Sequence, residues 1–510
     1  MMLWPIKKKL TIYYFYIFLF FCCFIVARRS KYNTANIARK QSNINPQTPN
    51  TTLTTNSKFY YYPPINCQNN HTLKCPKPYN NNQPTTQQPE SSNGSESESC
   101  PSYFKWIHED LSPWKTKGIT KEMVEAGKKH AFFRLIIING KLYVEKYKSS
   151  FQTRDVFTIW GILQLLRLYP GMIPDLELMF ECDDKPVIKK SDYNHYNVNY
   201  DDGGVGVGGI PPMFHYCGDD FSFDIPFPDW SFWGWHEINI KPWEKVMEEM
   251  KVGNERVKWM DRAPYAYWKG NLHMGRRRNL VACNSTGLWN TLIYSQKWAI
   301  EEKRGFRQSN MADQCTHRYK IYMEGQAWSV SEKYIQACDS MLLLVTPRYY
   351  EFYTRSLLPL KHFWPVNPTK KLCNSLKFAV DWGNNHPLKA QEIGKAGQKF
   401  IEDDLKMKNI YDYMFHLLNE YSKLLKYKPS VPQGAKELCL ENMVCDTSNG
   451  KEKQWKIETI VKTPSLKSPC VMPPPYDALQ LQDFFRAKYD VFRDVGRWED
   501  GQNVDDVSFT

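Results

Sequence analysis

The amino-acid sequence predicts an α/β fold with one open sheet on each side of a boundary near residues 240–260. Short apolar runs typical of strands alternate with segments of helical periodicity throughout residues 100–427. The first two such runs flank the dipeptide Asn139-Gly140, a preferred turn of tight β-hairpins. Residues 153–172 then repeat apolar side chains at helical spacing, and the strand-like run 175–180 follows. This order of elements indicates two α/β domains.

The C-terminal part continues the pattern and then changes in composition. Residues 389–405 and 409–427 carry apolar side chains at helical spacing, whereas the chain after 428 is rich in proline. A helical patch at 477–495 belongs to this extension, which we expect to fold back over the first domain. The glycine-rich stretch 203–209 is interpreted as a flexible insertion, because it precedes a strand and lacks the strand-then-helix setting of a dinucleotide site.

The composition is that of a globular, enzyme-sized protein. The 510 residues, 42% of them hydrophobic and 15% aromatic, are enough for two or three domains with a sizeable core. Despite the formal net charge of +13, nucleic-acid binding is not expected, because acidic clusters interrupt the basic ones and no recognition motif is present. We attribute the basic excess to a solvated surface, an anionic nucleotide site and the flanks of a membrane segment.

An uncharged run of 18 residues at 10–27 predicts a membrane segment. It is about long enough to span a bilayer and no small-residue cleavage site follows, so a signal-anchor with cytoplasmic residues 1–9 is favoured over a cleaved secretory signal. Residues 28–99 are rich in Asn, Gln, Ser, Thr and Pro and predict a disordered stem, within which the aromatic run 59–67 is a candidate docking segment. Sequons for N-glycosylation indicate a luminal location for the chain after the anchor. The sequons are at Asn50, Asn70, Asn93 and Asn284.

The 14 cysteines are compatible with an oxidising compartment. Two of them fall inside the predicted membrane segment, which leaves an even number that permits, but does not require, a full set of disulfides. No C-x-x-C pair and no histidine at zinc-ligand spacing occurs in the sequence, so a metal cluster is not expected.

Cationic side chains lie in, between and after two strand-like runs in the second half of the chain. The runs 265–268 and 319–323 each precede a turn of Gly, Asn or other small residues. Cations and free backbone N–H groups at the ends of parallel strands are suited to a nucleotide diphosphate. The cations are Lys269, Arg276, Arg277, Arg278, Arg318, Lys320 and Lys333.

Asp184 is the candidate base of the first half. It lies just past the strand-like run 175–180, where open α/β sheets place their sites. A carboxylate at that place can remove the proton of an attacking hydroxyl group. A solvated turn residue and, together with Asp183, a metal-binding pair are the alternatives. The two aspartates are adjacent, unlike the isolated D-x-D pattern that holds Mn²⁺ or Mg²⁺, so a metal is not expected.

Five blocks of sequence recur in the order of a known family. They are PDLELMFECDD at 174–184, FPDWSFWGW at 227–235, AYWKGN at 266–271, QSNMADQCTHRYKIYMEG at 308–325 and AWSVSEKYIQACDS at 327–340. Together they resemble the CAP10-type glycosyltransferases of family 90, which include the Rumi-like protein O-glucosyltransferases, and most closely the plant branch. The resemblance covers about residues 100–427.

This resemblance implies the GT-B arrangement, in which two Rossmann-like domains face a cleft. Residues 246–427 would hold the nucleotide sugar and residues 100–245 would present the acceptor. Residues 428–510 would form a C-terminal extension. The resemblance also implies a disulfide between Cys315 and Cys338, with two buried thiols as the alternative.

The resemblance further implies roles for single residues. Asp184 matches the catalytic aspartate of Rumi-like enzymes, and Lys269 stands where relatives often have Arg, so the charge is kept but the bidentate geometry is lost. Ser331 replaces an arginine of many relatives, so Lys333 or Arg277 is expected to take over its diphosphate contact. The implied nucleotide-sugar residues are Lys269, Arg277, Gln326, Ala327, Trp328, Ser329, Ser331 and Lys333.

The aromatic segment 227–235 matches the part of Rumi-like enzymes that contacts the acceptor peptide. Its candidate acceptor residues are Asp229, Trp230, Phe232 and Trp233. The alternative is that these rings seal the core between the domains. Gly234 and Trp235 depart from the family pattern, so the acceptor need not be the same.

The implied activity is that of an inverting, metal-independent glycosyltransferase without a cofactor, whose UDP-sugar donor carries glucose or xylose. The acceptor would be a serine of a luminal protein or a hydroxyl group of a cell-wall or matrix glycan. The alternatives are a catalytically silent sugar- or peptide-binding protein on the same fold and a structural wall-associated protein. Residues 507–510 are not a K-D-E-L signal, which favours the Golgi membrane over the endoplasmic reticulum.

Overall fold

The computed structural model describes Tyr62, Ile65, Cys67, Cys75 and residues 98–197, 209–369 and 371–501. Several predicted features lie outside the described residues. These are the cytoplasmic residues 1–9, the membrane segment 10–27, most of the stem, nearly all of the glycine-rich stretch and the sequons at Asn50, Asn70 and Asn93. None of the helices that are described combines the length and the hydrophobicity needed to cross a bilayer.

Helices and strands alternate along the described residues, as the sequence predicts. The α-helices are α1 (Trp106–Asp110), α2 (Lys121–Gly127), α3 (Arg154–Leu168), α4 (Trp243–Arg256), α5 (Trp298–Lys303), α6 (Ser331–Gln336), α7 (Leu372–Asn385), α8 (Pro387–Asp404), α9 (Met407–Leu424), α10 (Leu440–Cys445), α11 (Lys451–Glu458) and α12 (Ala478–Glu499). The strands are β1 (Phe133–Ile138), β2 (Lys141–Lys146), β3 (Leu176–Phe180), β4 (Met213–His215), β5 (Gly218–Asp219), β6 (Ile225–Pro226), β7 (Ala263–Gly270), β8 (Thr291–Ser295), β9 (His317–Tyr322), β10 (Met341–Val345), β11 (Tyr349–Tyr350), β12 (Trp364–Val366) and β13 (Lys436–Leu438).

The first sheet has the strand order β13-β2-β1-β3-β4-β6. The predicted hairpin is confirmed, because Asn139 and Gly140 join β1 to β2 with φ values of 51° and 72°, the left-handed conformation that this two-residue turn requires. β3 is antiparallel to β1, whereas β3, β4 and β6 run parallel to one another. The sheet is therefore mixed. The β1-β2 pair is antiparallel because a two-residue turn reverses the chain, and only the β3-β4-β6 part of the sheet is parallel.

The strands of the second sheet all run parallel, in the order β12-β10-β9-β7-β8. Strands that run parallel need a crossover connection, and helices supply several of these connections here. Side chains of the central strands β9 and β10, such as Ile321 and Leu343, are completely buried, as expected of a parallel sheet that is covered on both faces. The predicted α/β architecture is confirmed in this mixed form.

Direct contacts join the two sheets, which belong to one compact unit. β5, which follows β4, pairs with β11, which follows β10, in a short two-stranded ribbon. Beside this ribbon the guanidinium of Arg348 lies 2.8 Å from the carboxylate of Asp219. The buried hydroxyl group of Tyr334 donates to Ser231 Oγ at 2.9 Å. The carboxyl ends of parallel strands from both sheets therefore meet in one region.

The C-terminal extension folds back over the first half, as expected from the sequence. β13 extends the first sheet beside β2. The last helix, α12, contacts both halves, because Phe484 packs against Trp106 with ring centroids 5.7 Å apart and Trp498 packs against Trp364 at 6.2 Å.

Five disulfides connect the described cysteines. They are Cys67–Cys445, Cys75–Cys439, Cys100–Cys470, Cys283–Cys373 and Cys315–Cys338. The implied Cys315–Cys338 pair is confirmed. The prediction of a disordered stem is wrong at Cys67 and Cys75, which are bonded to the extension. It is also wrong at Tyr62, whose ring lies 4.0 Å from the Arg167 guanidinium. The expected docking of run 59–67 is confirmed at these positions.

Candidate active site

The candidate site lies where the carboxyl ends of strands from both sheets meet. Asp184 follows β3 of the first sheet, Arg277 follows β7 of the second, and the loop 326–331 follows β9. Burial lowers the pKa of the Arg277 guanidinium, while the nearby Tyr322 and the Asp184 carboxylate act in the opposite direction. The predicted base is thus close enough to the predicted donor-site cation for their charges to interact, although the two belong to different halves.

Asp184 is held by a buried arginine and remains open to solvent. Nη1 of Arg154 donates to Asp184 Oδ1 at 3.0 Å and to the carbonyl oxygen of Cys182 at 3.1 Å. The Arg154 guanidinium lies 4.6 Å from the Trp230 ring and 5.2 Å from the Phe151 ring. The side chain of Asp184 is 37% exposed. Arg154 therefore orients the carboxylate through one of its oxygens, and the carboxylate remains accessible to an incoming hydroxyl group.

Arg277 is a partly buried cation without an acidic partner. Its Nε donates to the carbonyl oxygen of Met323 at 3.1 Å, and its Nη2 donates to Ser329 Oγ at 2.8 Å. Its guanidinium carbon lies 5.7 Å from the Trp268 ring. Within the part of the chain that the structure describes, no carboxylate lies at ion-pair distance from it. A guanidinium in this state is suited to an anion that binds from outside the chain.

The loop 326–331 presents hydroxyl groups beside Arg277. Ser329 Oγ lies 2.9 Å from Ser331 Oγ, and the backbone N–H of Ser329 donates to the Tyr322 hydroxyl group at 3.1 Å. Gln326 is exposed. The side chains of Ala327 and Trp328 are buried, at 1% and 7% exposure, so neither is open to the nucleotide sugar that the resemblance assigns to them.

Trp328 is instead an anchor for this loop. Its ring centroid lies 5.9 Å from that of Tyr216 and 5.9 Å from that of Trp230, both of which belong to the first half. This loop, 326–331, which is the predicted donor loop of the second half, is therefore fixed against the elements that surround Asp184.

Two further predicted cations have partners within the chain. Lys269 lies near the end of β7, and its ammonium group donates to the carbonyl oxygen of Gln308. Arg276 lies 3.1 Å from the carboxylate of Glu324. Both side chains remain at least partly exposed, so each is able to exchange its partner for a ligand.

The prediction that Lys333 binds the diphosphate is wrong. Its side chain is completely buried, and its ammonium group lies 2.5 Å from the carboxylate of Asp229, which is 1% exposed. The Phe232 ring lies 4.8 Å away. Lys333 stands on α6 behind the donor loop, where it joins the two halves and cannot reach a ligand.

The predicted acceptor residues Asp229, Trp230, Phe232 and Trp233 are also corrected. All four are at most 1% exposed. Trp233 packs against Gly161, and its indole N–H donates to the Tyr411 hydroxyl group at 2.9 Å. The alternative role, packing of the core between the halves, therefore applies, because large aromatic side chains that are this deeply buried stabilise a core by removing their surface from water. Trp230 still contributes indirectly through its contact with Arg154.

Comparison with known proteins identifies the family. The sequence model described as Glycosyl transferase family 90 matches residues 95–499. The chain belongs to this family. The match includes the extension as far as residue 499, well beyond residue 427, where the resemblance stops.

Similar proteins agree with the family match. The chain is 24% identical over 344 residues to "O-glucosyltransferase rumi" of Drosophila melanogaster, which covers 64% of this chain and 78% of that protein. It is 24% identical over 352 residues to "Protein O-glucosyltransferase 1" of Homo sapiens, with 66% and 84% covered. It is 26% identical over 345 residues to "O-glucosyltransferase rumi homolog" of Aedes aegypti, with 64% and 80% covered. The resemblance drawn from the five blocks is confirmed.

In this family 90 protein, replacing Lys333 with methionine is expected to lower the free energy of unfolding by about 3–5 kcal/mol, because Asp229 would stay buried without its counter-ion. The affinity of the folded fraction for UDP should not change. Urea unfolding and calorimetric titration measure the two quantities. Lys245, which is exposed on α4, supplies the control, and Lys245→Met should change stability by less than about 0.5 kcal/mol. If Lys333→Met loses UDP affinity while its stability is unchanged, Lys333 is a donor-site residue after all.

Nothing in the sequence singles out Arg154. It opens the apolar helix α3, and a basic residue at a helix start normally faces solvent, yet here it is 8% exposed and bonded to Asp184. Glu324, in contrast, could have been found from the sequence, because it follows a buried strand as Asp184 does. Its Oε1 accepts the backbone N–H groups of Arg348 and Tyr349 at 2.8 and 2.7 Å, which ties the donor loop to the loop after β10.

Glu332, beneath the donor loop, is expected to make stability depend on pH. Burial raises its pKa from 4.5 to about 8, against the lowering effects of a Tyr322 hydrogen bond and the Lys333 charge. The folded state therefore binds a proton that the unfolded state lacks, so the free energy of unfolding should fall as the pH rises between these two values. Urea unfolding across this range should show that Glu332→Gln removes part of the slope, whereas the exposed Glu248→Gln should keep it. An unchanged slope in Glu332→Gln would contradict the assignment.

Proposed function

We propose that this protein is an inverting glycosyltransferase that moves glucose or xylose from a UDP-sugar to the hydroxyl group of a serine in a luminal protein. The observation that carries the proposal is the partly buried Arg277 guanidinium, which lacks an acidic partner among the described residues and lies within electrostatic range of Asp184. A cation that is partly removed from water is stabilised when an anion binds to it, and a diphosphate is such an anion. The O-glucosyltransferases among the similar proteins support glucose as the sugar and a protein as the acceptor.

Asp184 has the geometry of the base in this reaction. Arg154 holds Oδ1, and Oδ2 makes no hydrogen bond with any residue that the structure describes. Oδ2 would accept the proton of the acceptor hydroxyl group as the hydroxyl oxygen bonds to the anomeric carbon. The bond between that carbon and the diphosphate oxygen breaks in the same displacement, which inverts the configuration at the carbon.

Arg277 and Ser329 have the geometry of leaving-group contacts. The guanidinium and the hydroxyl group already bond to each other at 2.8 Å, so both are oriented before the donor binds. Fixed donors of this kind stabilise the charge that develops on UDP without reorganisation. We propose that this guanidinium, rather than a metal ion, supplies the positive charge, and that the reaction needs no cofactor. The arginine that many relatives have at position 331 is replaced by Arg277 in this scheme, and Ser331 positions Ser329.

A donor screen tests the proposal. The full chain is incubated with UDP-glucose or UDP-xylose, with and without EDTA, and released UDP is measured in the absence and presence of serine-containing secreted domains. We expect UDP release with at least one donor, faster with an acceptor domain and unaffected by EDTA. If only glycan oligosaccharides stimulate UDP release, the acceptor is a polysaccharide and not a protein. Intact UDP binding without release from either donor would favour the catalytically silent alternative.

We propose that the catalytic part lies in the Golgi lumen and that residues 10–27 anchor it as a single-pass type II membrane protein. The five disulfides favour an oxidising compartment. Among the sequons, Asn284 is exposed, with its Oδ1 accepting the Ile293 N–H at 2.9 Å. Protease protection in sealed vesicles, combined with removal of N-glycans, tests this topology. Digestion of the catalytic part in intact vesicles would contradict it.

A further inference from the structure

A buried histidine lies behind the turn that carries Asp184. His215 ends β4, the parallel neighbour of β3, and is completely inaccessible to solvent. Its Nε2 lies 2.8 Å from Oε2 of Glu181 in an ion pair. Its Nδ1 lies 2.9 Å from the carbonyl oxygen and 3.1 Å from the backbone nitrogen of Cys217. Glu181 and Cys217 are likewise at most 2% exposed.

Glu181 connects His215 to the turn that contains Asp184. The backbone N–H of Asp183 donates to both carboxylate oxygens of Glu181, at 3.1 and 3.0 Å. The position of this carboxylate therefore sets the Cys182–Asp183 peptide group, one residue before Asp184. Without its ion pair to His215, the buried carboxylate would have to move towards water or take up a proton, and the turn would lose this fixed acceptor.

Cys217 connects His215 to the backbone on the other side of Asp184. Its Sγ–H donates to the carbonyl oxygen of Asp184 at 3.5 Å. Burial raises the pKa of this thiol well above its ordinary value, so the thiol keeps the proton that it donates. Cys217 is also outside the five disulfides, which leaves its sulfur available for this role.

The charge of His215 suits both contacts. Burial lowers its pKa, but the ion pair with Glu181, with Asp224 in support, raises it by more, so the net pKa is above the ordinary value. An imidazolium carries a proton on both nitrogens. Nε2–H then faces the Glu181 carboxylate in the ion pair, and Nδ1–H donates to the carbonyl oxygen of Cys217.

We propose that His215 is a positioning residue for sugar transfer, which fixes the direction of the Asp184 carboxylate by holding the backbone on both sides of it through Glu181 and Cys217. Its effect on rate rests on the proposed function, whereas its effect on the turn does not. His215 itself touches neither solvent nor substrate. Because a shift of about 1 Å in a reacting group reduces rates by about 10²-fold, loosening this turn should lower kcat without changing donor affinity.

Three substitutions separate the two contacts. His215→Phe keeps the volume and removes both. His215→Gln places an amide where Nε2 was and keeps the contact with Glu181, whereas His215→Asn places one near Nδ1 and keeps the contact with Cys217. We expect kcat to fall by about 10²-fold in His215→Phe and by about tenfold or less in the two amides, with UDP affinity within about twofold of the wild type throughout. His416→Phe is the control, since His416 also bonds a backbone carbonyl, that of Cys470 at 2.8 Å, but lies on α9.

Amide hydrogen exchange provides a readout that does not need activity. The amide of Asp183 should exchange faster in His215→Phe than in the wild type or in His416→Phe, at equal melting temperature. If the wild type shows no activity in the donor screen, the proposed function is wrong. Hydrogen exchange at Asp183 would then decide the inference about His215 by itself. Unchanged exchange at Asp183, or kcat within about twofold of the wild type in folded His215→Phe, would overturn it. If His215→Phe does not fold, the same readouts on His215→Gln, His215→Asn and Glu181→Gln decide, and unchanged values in all three overturn the inference.

Discussion

Replacing Asp184 with asparagine is expected to lower the rate of sugar transfer by about 10²–10⁴-fold, the usual contribution of a general base. Asparagine has almost the same shape, so it can still accept the hydrogen bond from Arg154 that is seen at 3.0 Å. It cannot take up the proton of the acceptor hydroxyl group. UDP affinity should stay nearly constant, because the hydrogen bond that holds the carboxylate comes from Arg154 and not from the donor loop. Steady-state transfer assays and calorimetric titration with UDP measure the two effects.

Asp183 offers a matched control for this prediction. It is adjacent and exposed and has the same side chain, but Arg154 does not bond to it within the described structure. Asp183→Asn should reduce the rate far less than Asp184→Asn does. If the two variants lose the same activity, the base is not Asp184 alone. If Asp184→Asn loses UDP affinity in proportion to its rate, the carboxylate acts on the donor and the assigned role is wrong.

Replacing Arg277 with alanine is expected to weaken UDP binding by about 10–100-fold, the effect of losing a charge-assisted hydrogen bond of about 1.5–3 kcal/mol. The guanidinium is the partly buried cation of the donor site that has no acidic partner in the described residues, so its loss removes an attraction for the diphosphate without leaving a carboxylate unpaired. Arg277→Lys should recover part of the affinity, because it restores the charge but not the planar pair of donors. Titration with UDP at constant ionic strength measures the change.

Two neighbouring cations serve as controls for Arg277. Arg278 is exposed beside it, and Arg278→Ala should leave UDP affinity within about twofold of the wild type. Lys269→Ala should weaken binding less than Arg277→Ala does, because the Lys269 ammonium group is exposed and already bonds the Gln308 carbonyl oxygen. Equal losses in all three variants would indicate a diffuse basic surface instead of a built diphosphate site. Unchanged affinity in Arg277→Ala would remove the observation on which the proposed function rests.

Local chemistry made the strands and turns of this chain predictable. Asn139 and Gly140 adopt the left-handed conformation that few other residues tolerate, so this dipeptide is enough to predict the hairpin. The place of Asp184 after β3 and of the loop 326–331 after β9 follows in the same way, since a buried apolar run must end where polar residues begin. The Cys315–Cys338 disulfide was implied by the family resemblance alone.

Burial of individual side chains was not predictable in the same way. Lys333 looks like an exposed helix lysine from its neighbours in sequence, and it is inaccessible because Asp229 comes from the other half. The tryptophans of 227–235 suit a binding surface and a core equally well. Arg154 pairs with Asp184 across 30 positions of the chain. No pattern of spacing shows which of these residues meet.

The sequence by itself determined the α/β pattern, the family and the places where strand ends expose functional groups, because these depend on residues close together in the chain. Only the tertiary structure decided that Asp184 and Arg277 lie within electrostatic range of each other and that Lys333, Trp230 and Trp233 are internal. It also decided that the extension is bonded to residues 67 and 75. The physical reason is that burial and charge pairing depend on which distant surfaces come into contact, and that is settled by the packing of the two halves.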